Sequence, residues 1–240
     1  MTRESDFERA WLLKFADGIA RSVGEDARRH VMQGSETLTS RSERRAVIDW
    51  SKQAIDRLES LADERQCREV LTGCACQYPK ENLQDIRASF ARTEDADLAH
   101  EMLQARFETF LREVLELDPS LADEVVRRGW GLAGIKEGSR ITATKIPKSG
   151  NLVAYLRETD ADRKRQLYCH CPRVREVLQG DERLSSTYCY CGAGYYKGIW
   201  EEILQRPVDV TVVESVLQGG DVCSIRIHLP PEALGQAGEY

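Results

Sequence analysis

Residues 129–146 read GWGLAGIKEGSRITATKI, and the character of the chain changes across them. After Gly129-Trp130-Gly131, glycines at 134 and 138 mark a flexible join. Ile141 to Ile146 then alternates and is rich in β-branched residues, which predicts a strand. Everything upstream reads as helix, and strands recur downstream. The expected fold class is therefore α+β: a helical region over residues 1–135, packed on an α+β cysteine-rich region over residues 136–240 with a small antiparallel sheet. The reading leaves open that the two share one core.

Upstream, Phe7, Trp11, Phe15, Ile19 and Val23 recur at four-residue steps, the stripe of an amphipathic helix. Ser5-Asp6-Phe7-Glu8 reads as its capping box. Ser40-x-x-Glu43 opens a second long helix, with Val47, Trp50, Ala54 and Leu58 on one face. Asp63 caps a further helix through Cys67 and Leu71 that Gly73 ends. Pro79 starts another, Leu98 to Leu115 makes a long one, and Pro119 begins a short one.

Downstream of the join, Leu152–Leu156 is read as the return strand after a Pro147-to-Asn151 turn. Tyr168–Cys171 is read as extended. Gly192-Ala-Gly194 is read as a loop entering a helix over Tyr195–Leu204. Val208–Val216 and Val222–Leu229 are read as two strands joined by a hairpin turn at Gln218–Asp221. The last residues read as a loose tail.

The strongest chemical signal is the cysteine spacing. Six of the eight cysteines form Cys-x-Cys pairs: Cys74/Cys76, Cys169/Cys171 and Cys189/Cys191. In an extended segment, residues i and i+2 face the same way, so each pair offers two sulfurs together. The last two pairs are close enough in sequence for the chain to double back. Four thiolates at one point suit zinc, or less readily an iron–sulfur cluster. Two other readings stand beside metal binding: small buried thiols packing as hydrophobes, and disulfide exchange between different pairs. Tyr188, Tyr190, Tyr195, Tyr196 and Trp200 cluster around the thiols. They are candidates to line a pocket for a flat ligand, and equally for plain core. His170 lies between two cysteines and in an extended segment faces away from both.

Composition narrows the partners. With 41% hydrophobic and 31% charged residues, the chain can bury a core. A formal charge of −6 gives no reason to expect nucleic acid or an anionic membrane. The N-terminus lacks the apolar run of a signal peptide, and the expected compartment is the cytoplasm. A homodimer is compatible with this reading. No nucleophile–base arrangement, zinc-protease or phosphate-loop motif is present, so no catalytic residue is singled out.

Cys191, the Gly/Tyr-rich helix after it, PVDVTVVES (207–215) and GGDVCSIRI (219–227) resemble the 4-vinyl reductase-type small-molecule-binding domain. The last segment is also similar to proteins of the L-2-amino-thiazoline-4-carboxylic acid hydrolase type. The first resemblance implies an α+β domain with a pocket for a small ligand and a structural zinc on cysteines plus a glutamate. Its zinc positions fall on Cys191, Glu214, Leu217 and Cys223. Leu217 cannot bind a metal, which directs a zinc toward the Cys-x-Cys pairs. The expected function is thus a cysteine-rich zinc protein that recognises a small molecule. The alternative is a thiol- or zinc-dependent hydrolase of a small cyclic or amide substrate.

Overall fold

The computed structural model describes residues 3–39, 42–178 and 183–233, without the side chains of residues 3–7, 149 and 172. The fold is α+β, with a helical N-terminal half and a small antiparallel sheet in the C-terminal half. The chain divides into two compact units that interleave in sequence. The first comprises Met1–Cys76 and Cys171–Gly194, the second Gln77–His170 and Tyr195–Tyr240.

The first unit contains α1 (Arg3–Ser22), α2 (Glu25–Val31), α3 (Arg44–Leu61) and α4 (Glu64–Gly73). The four-residue stripe of α1 is inward: Trp11, Phe15 and Ile19 are buried. Trp11 stacks on Phe15 at 4.9 Å between ring centroids, and Phe15 meets Trp50 of α3 edge-on. Asp63 and Gln66 form a reciprocal capping box at the start of α4, which satisfies two otherwise orphaned N–H groups. The expected box at Ser5–Glu8 is not a helix start, because α1 already runs from Arg3. Ser40, expected to open α3, lies outside the described residues.

In the second unit, α5 (Gln84–Thr93), α6 (Ala96–Thr109) and α7 (Pro119–Arg127) come first. The long helix expected through Leu115 changes to a π-helical turn at Phe110–Val114. Next come β1 (Ile135–Glu137) and β2 (Arg140–Thr144), then α8 (Leu152–Arg157) and α9 (Ala161–Tyr168). The first unit then takes α10 (Pro172–Val177) and a 3-10 turn at Ser186–Cys189. Helix α11 (Tyr190–Leu204) supplies its opening residues to the first unit and the remainder to the second. Finally, β3 (Asp209–Glu214) and β4 (Ser224–His228) complete a four-stranded antiparallel sheet of order β1-β2-β4-β3.

Several expectations need correction. Leu152–Leu156 is helical, with Leu152 and Tyr155 buried three residues apart. The strand that pairs with β2 on that side is β4, with Ile141 opposite Ile227. The glycine-rich join contains β1, which turns back at Gly138 to pair with β2. Tyr168 closes α9, whose first turn Asp160 caps by accepting the N–H of Arg163 at 2.8 Å. Gly192-Ala-Gly194 lies within α11 and is not a loop. The strands read at Val208–Val216 and Val222–Leu229 form over the shorter spans Asp209–Glu214 and Ser224–His228, antiparallel, with a 3-10 turn at Val216–Gln218 leading into the glycines. No described helix is long and apolar enough to cross a membrane.

Candidate thiol site

The third Cys-x-Cys pair, Cys189/Cys191, is helical, which changes what it can do. Cys189 ends a 3-10 turn and Cys191 lies in the first turn of α11. On a helix, residues two apart point to different sides, because each residue turns the chain by about 100°. The four-sulfur convergence expected from two extended pairs therefore loses its geometric basis. Cys169 and Cys171 do have extended backbones. They fall in different units, Cys169 with His170 in the second and Cys171 in the first. The imidazole Nε2 of His170 is 2.9 Å from the Ile146 carbonyl.

The first unit instead gathers thiols around one tyrosine. Tyr188 is buried, and Cys171 Sγ donates to its Oη at 3.7 Å. Arg173 donates to the same oxygen at 3.1 Å. The Arg173 guanidinium is completely buried, pairs with Glu8 of α1, and lies 4.5 Å from the centre of the Trp11 ring. Glu8 also accepts from Arg44 at 2.9 Å. Burial pushes the Tyr188 phenol well above its ordinary value, with Cys171 next and Cys191 also raising it. Cys191 is thus within electrostatic reach of Tyr188.

Cys74 joins from α4. It caps the helix C-terminus, is 2% exposed, and donates through Sγ to the Val70 carbonyl at 3.3 Å. Burial raises its pKa well above that of a free thiol, and Cys191 adds to this, while Lys14 and Arg173 oppose it. The reason Cys191 comes near is steric. The main chain at Gly194 lies against the Thr72 carbonyl, where a side chain would collide. Residues 191 and 194 share a helix face, so Cys191 is turned toward the end of α4. Arg68 of α4 covers the Tyr190 ring at 5.0 Å. Cys76, two residues on, is exposed.

Two buried donors in this cluster have no hydrogen-bond partner: Arg173 Nε and Trp11 Nε1. Among the described residues, no group of three or more His, Cys, Asp or Glu side chains is arranged to hold a metal ion. The thiols are neighbours, not a closed coordination set. Burial disfavours a thiolate at Cys74, and the nearby Arg173 and Lys14 charges act against that effect. Soft sulfur donors lie beside a buried guanidinium, with spare N–H groups next to it.

The candidate ligand-binding aromatics divide between the units. Tyr188 and Tyr190 are buried in the first. Within the second, Trp200 is buried and stacks on His100 at 6.5 Å, and Tyr195 meets Tyr78 edge-on. A cavity of about 310 Å³ in the second unit lies elsewhere, lined by Phe90, Ala91, Ile203 and Leu204 with Arg87 and Arg206. Glu214, one of the zinc positions implied by resemblance, has structural work in the β3–β4 turn. Its Oε1 accepts the N–H groups of Asp221 at 2.9 Å and Val222 at 3.3 Å. The lack of a side chain at Gly220 leaves room for that carboxylate. Cys223 donates its backbone N–H to Tyr168 Oη at 2.8 Å, and burial raises its thiol pKa.

Sequence reading missed Glu8, Trp11 and Arg173. Trp11 read as one more core aromatic, and Glu8 as a capping residue. Arg173 had one available cue, its place two residues after Cys171.

The fold and site define an α+β protein in which Cys171 and Glu8 meet the buried Tyr188 and Arg173. A family of unknown function, DUF6144, matches residues 154–233, which is 80 of the 240 residues. No curated protein and no solved structure matches the chain.

Proposed function

We propose that the protein is a cytoplasmic zinc-binding protein with a small-molecule site, and that its zinc is held by thiolates of the first unit. Cys171, Cys191 and Cys74 are the proposed ligands, with Cys189, two residues before Cys191 in the same unit, as a further donor. What supports this reading is the Cys171 Sγ contact with Tyr188 Oη beside the buried Arg173, and the close approach of Gly194 to Thr72 that turns Cys191 toward the end of α4. Zinc bound there would serve as a cross-link between segments far apart in sequence. The small-molecule part rests on the resemblance of the C-terminal segment and on the cavity in the second unit. Its volume is at the lower end of known ligand pockets.

The hydrolase alternative has less support. A nucleophilic cysteine needs a lowered pKa, whereas burial raises Cys74 and Cys223. Elemental analysis of purified protein tests the proposal. Near one equivalent of zinc is expected, lost in Cys171→Ser and Cys191→Ser and kept in Cys76→Ser. Metal-free protein, or full zinc in the Cys171/Cys191 double variant, would overturn it.

A further inference from the structure

The cavity of about 310 Å³ in the second unit is built from two helix ends. Arg87, Phe90, Ala91 and Glu94 recur at three- and four-residue steps, so α5 and its C-terminal cap turn one face to it. Ile203 and Leu204 line it from the end of α11, with Arg206 just beyond. Phe90, Ile203 and Leu204 are buried, so the inner lining is apolar. The side chains of Arg87 and Arg206 are 47% and 35% exposed, which puts both guanidiniums at the mouth. Each helix is followed by a non-glycine residue in the left-handed region, Glu94 at φ 51° and Gln205 at φ 53°, and both line the cavity. Among the described residues, Glu116 is the one other non-glycine residue in that region. Such backbone is strained for an L-residue and gathers at ligand sites.

The charges around the mouth do not cancel. Glu202 accepts from Arg87 at 2.8 Å and pairs with Lys80 at 2.7 Å, and Glu94 accepts from Arg206 at 3.2 Å. This group holds three cations and two carboxylates, in a chain whose net charge is −6. A guanidinium carries five N–H donors. Arg87 gives one nitrogen to Glu202, and Arg206 gives one to Glu94 and one to the Glu232 carbonyl. Both keep donors for an anion. We infer that the cavity binds a small organic acid, with its apolar body against Phe90, Ile203 and Leu204 and its carboxylate on Arg87 and Arg206. This rests on the small-molecule reading above and names the ligand class. A guanidinium matches a carboxylate through parallel, charge-assisted hydrogen bonds. A cationic ligand would meet the same two guanidiniums as repulsion.

Ligand-observed NMR titration of the full chain tests this with three probes of similar shape: phenylacetate, phenylacetamide and phenethylammonium. Phenylacetate is expected to bind about tenfold more tightly than the neutral amide, and the ammonium more weakly than either. Arg87→Gln and Arg206→Gln should each weaken phenylacetate about tenfold and leave phenylacetamide unchanged. In Arg87→Gln, Glu202 keeps Lys80 as its partner. Ala91→Trp, at an exposed position on the lining face of α5, should block all three probes. The comparison of probes on the wild type stands even where a variant fails to fold. Equal or tighter binding of phenylacetamide or phenethylammonium would overturn the inference and leave a small-molecule site standing. So would phenylacetate binding that persists in all three variants, because the acid would then sit elsewhere. A wild-type protein that binds none of the probes would overturn both.

Discussion

Gly194 of α11 lies against the carbonyl of Thr72 at the end of α4, with no room for a β-carbon between them. That approach brings Cys191 toward Cys74. Gly194→Ala must push the two segments apart, and overpacking of this kind costs about 1–3 kcal/mol. Gly198 of the same helix is the control. A β-carbon there meets only the Gln77 side chain, at an ordinary 3.5 Å. Gly198→Ala is expected to be neutral, or to stabilise by up to ~1 kcal/mol through helix propensity. Urea unfolding of the two variants checks the pair, and equal midpoints would contradict the close approach.

Arg173 is completely buried and Glu8 is 18% exposed. Removing the carboxylate charge leaves a buried cation without its partner, which typically costs about 3 kcal/mol or more. Glu8→Gln should therefore lower the urea midpoint strongly with little change in the m-value. A shift within the range of ordinary surface substitutions would show that the pair is solvated.

Among the described residues, no disulfide joins any of the eight cysteines. Burial, then Glu59 and Asp63, pushes Cys67 up to about 11, and Cys74 is also raised. In metal-free protein at neutral pH, Cys76 should be alkylated first, and Cys67 and Cys74 last. Mass spectrometry of peptides after timed alkylation gives the order. Early modification of Cys74 would contradict its placement under α11.

His100 lies within hydrogen-bond distance of the Gly134 carbonyl, 3.1 Å from Nε2, and stacks on Trp200. Burial lowers its pKa below the ordinary histidine value. The unfolded chain protonates this imidazole near pH 6.5, while the folded chain resists until lower pH. In that window the unfolded state binds more protons, so stability falls as pH drops and levels off once folded His100 is protonated. Above the window both forms are neutral and the effect vanishes. Unfolding of wild type and His100→Gln between pH 7 and 4 should diverge in slope below pH 6.5. Parallel curves would contradict the burial of the imidazole.

The helical half was readable because its signals are local. Trp11, Phe15 and Ile19 repeat at helical spacing and are all buried, and Asp63 caps through its own Gln66. Strands β3 and β4 were readable for the same reason, a short glycine turn between alternating runs. The pairing of β2 with β4 joins residues 80 to 88 positions apart, and no local pattern encodes such a choice. Only proximity to β2 suggests a strand at Leu152–Leu156, which is helical. The Cys189/Cys191 spacing suggested two sulfurs on one side, yet that inference holds only for extended backbone. Arg173 carried little sequence signal, because its role depends on Trp11 and Glu8 arriving from the other end of the chain.

X-ray absorption at the zinc edge of the purified protein tests the thiolate centre most directly. The account predicts a first shell dominated by sulfur at about 2.3 Å, with sulfur scattering lost when Cys171 and Cys191 are replaced by serine. A shell of nitrogen and oxygen only, or one unchanged by those replacements, would contradict it.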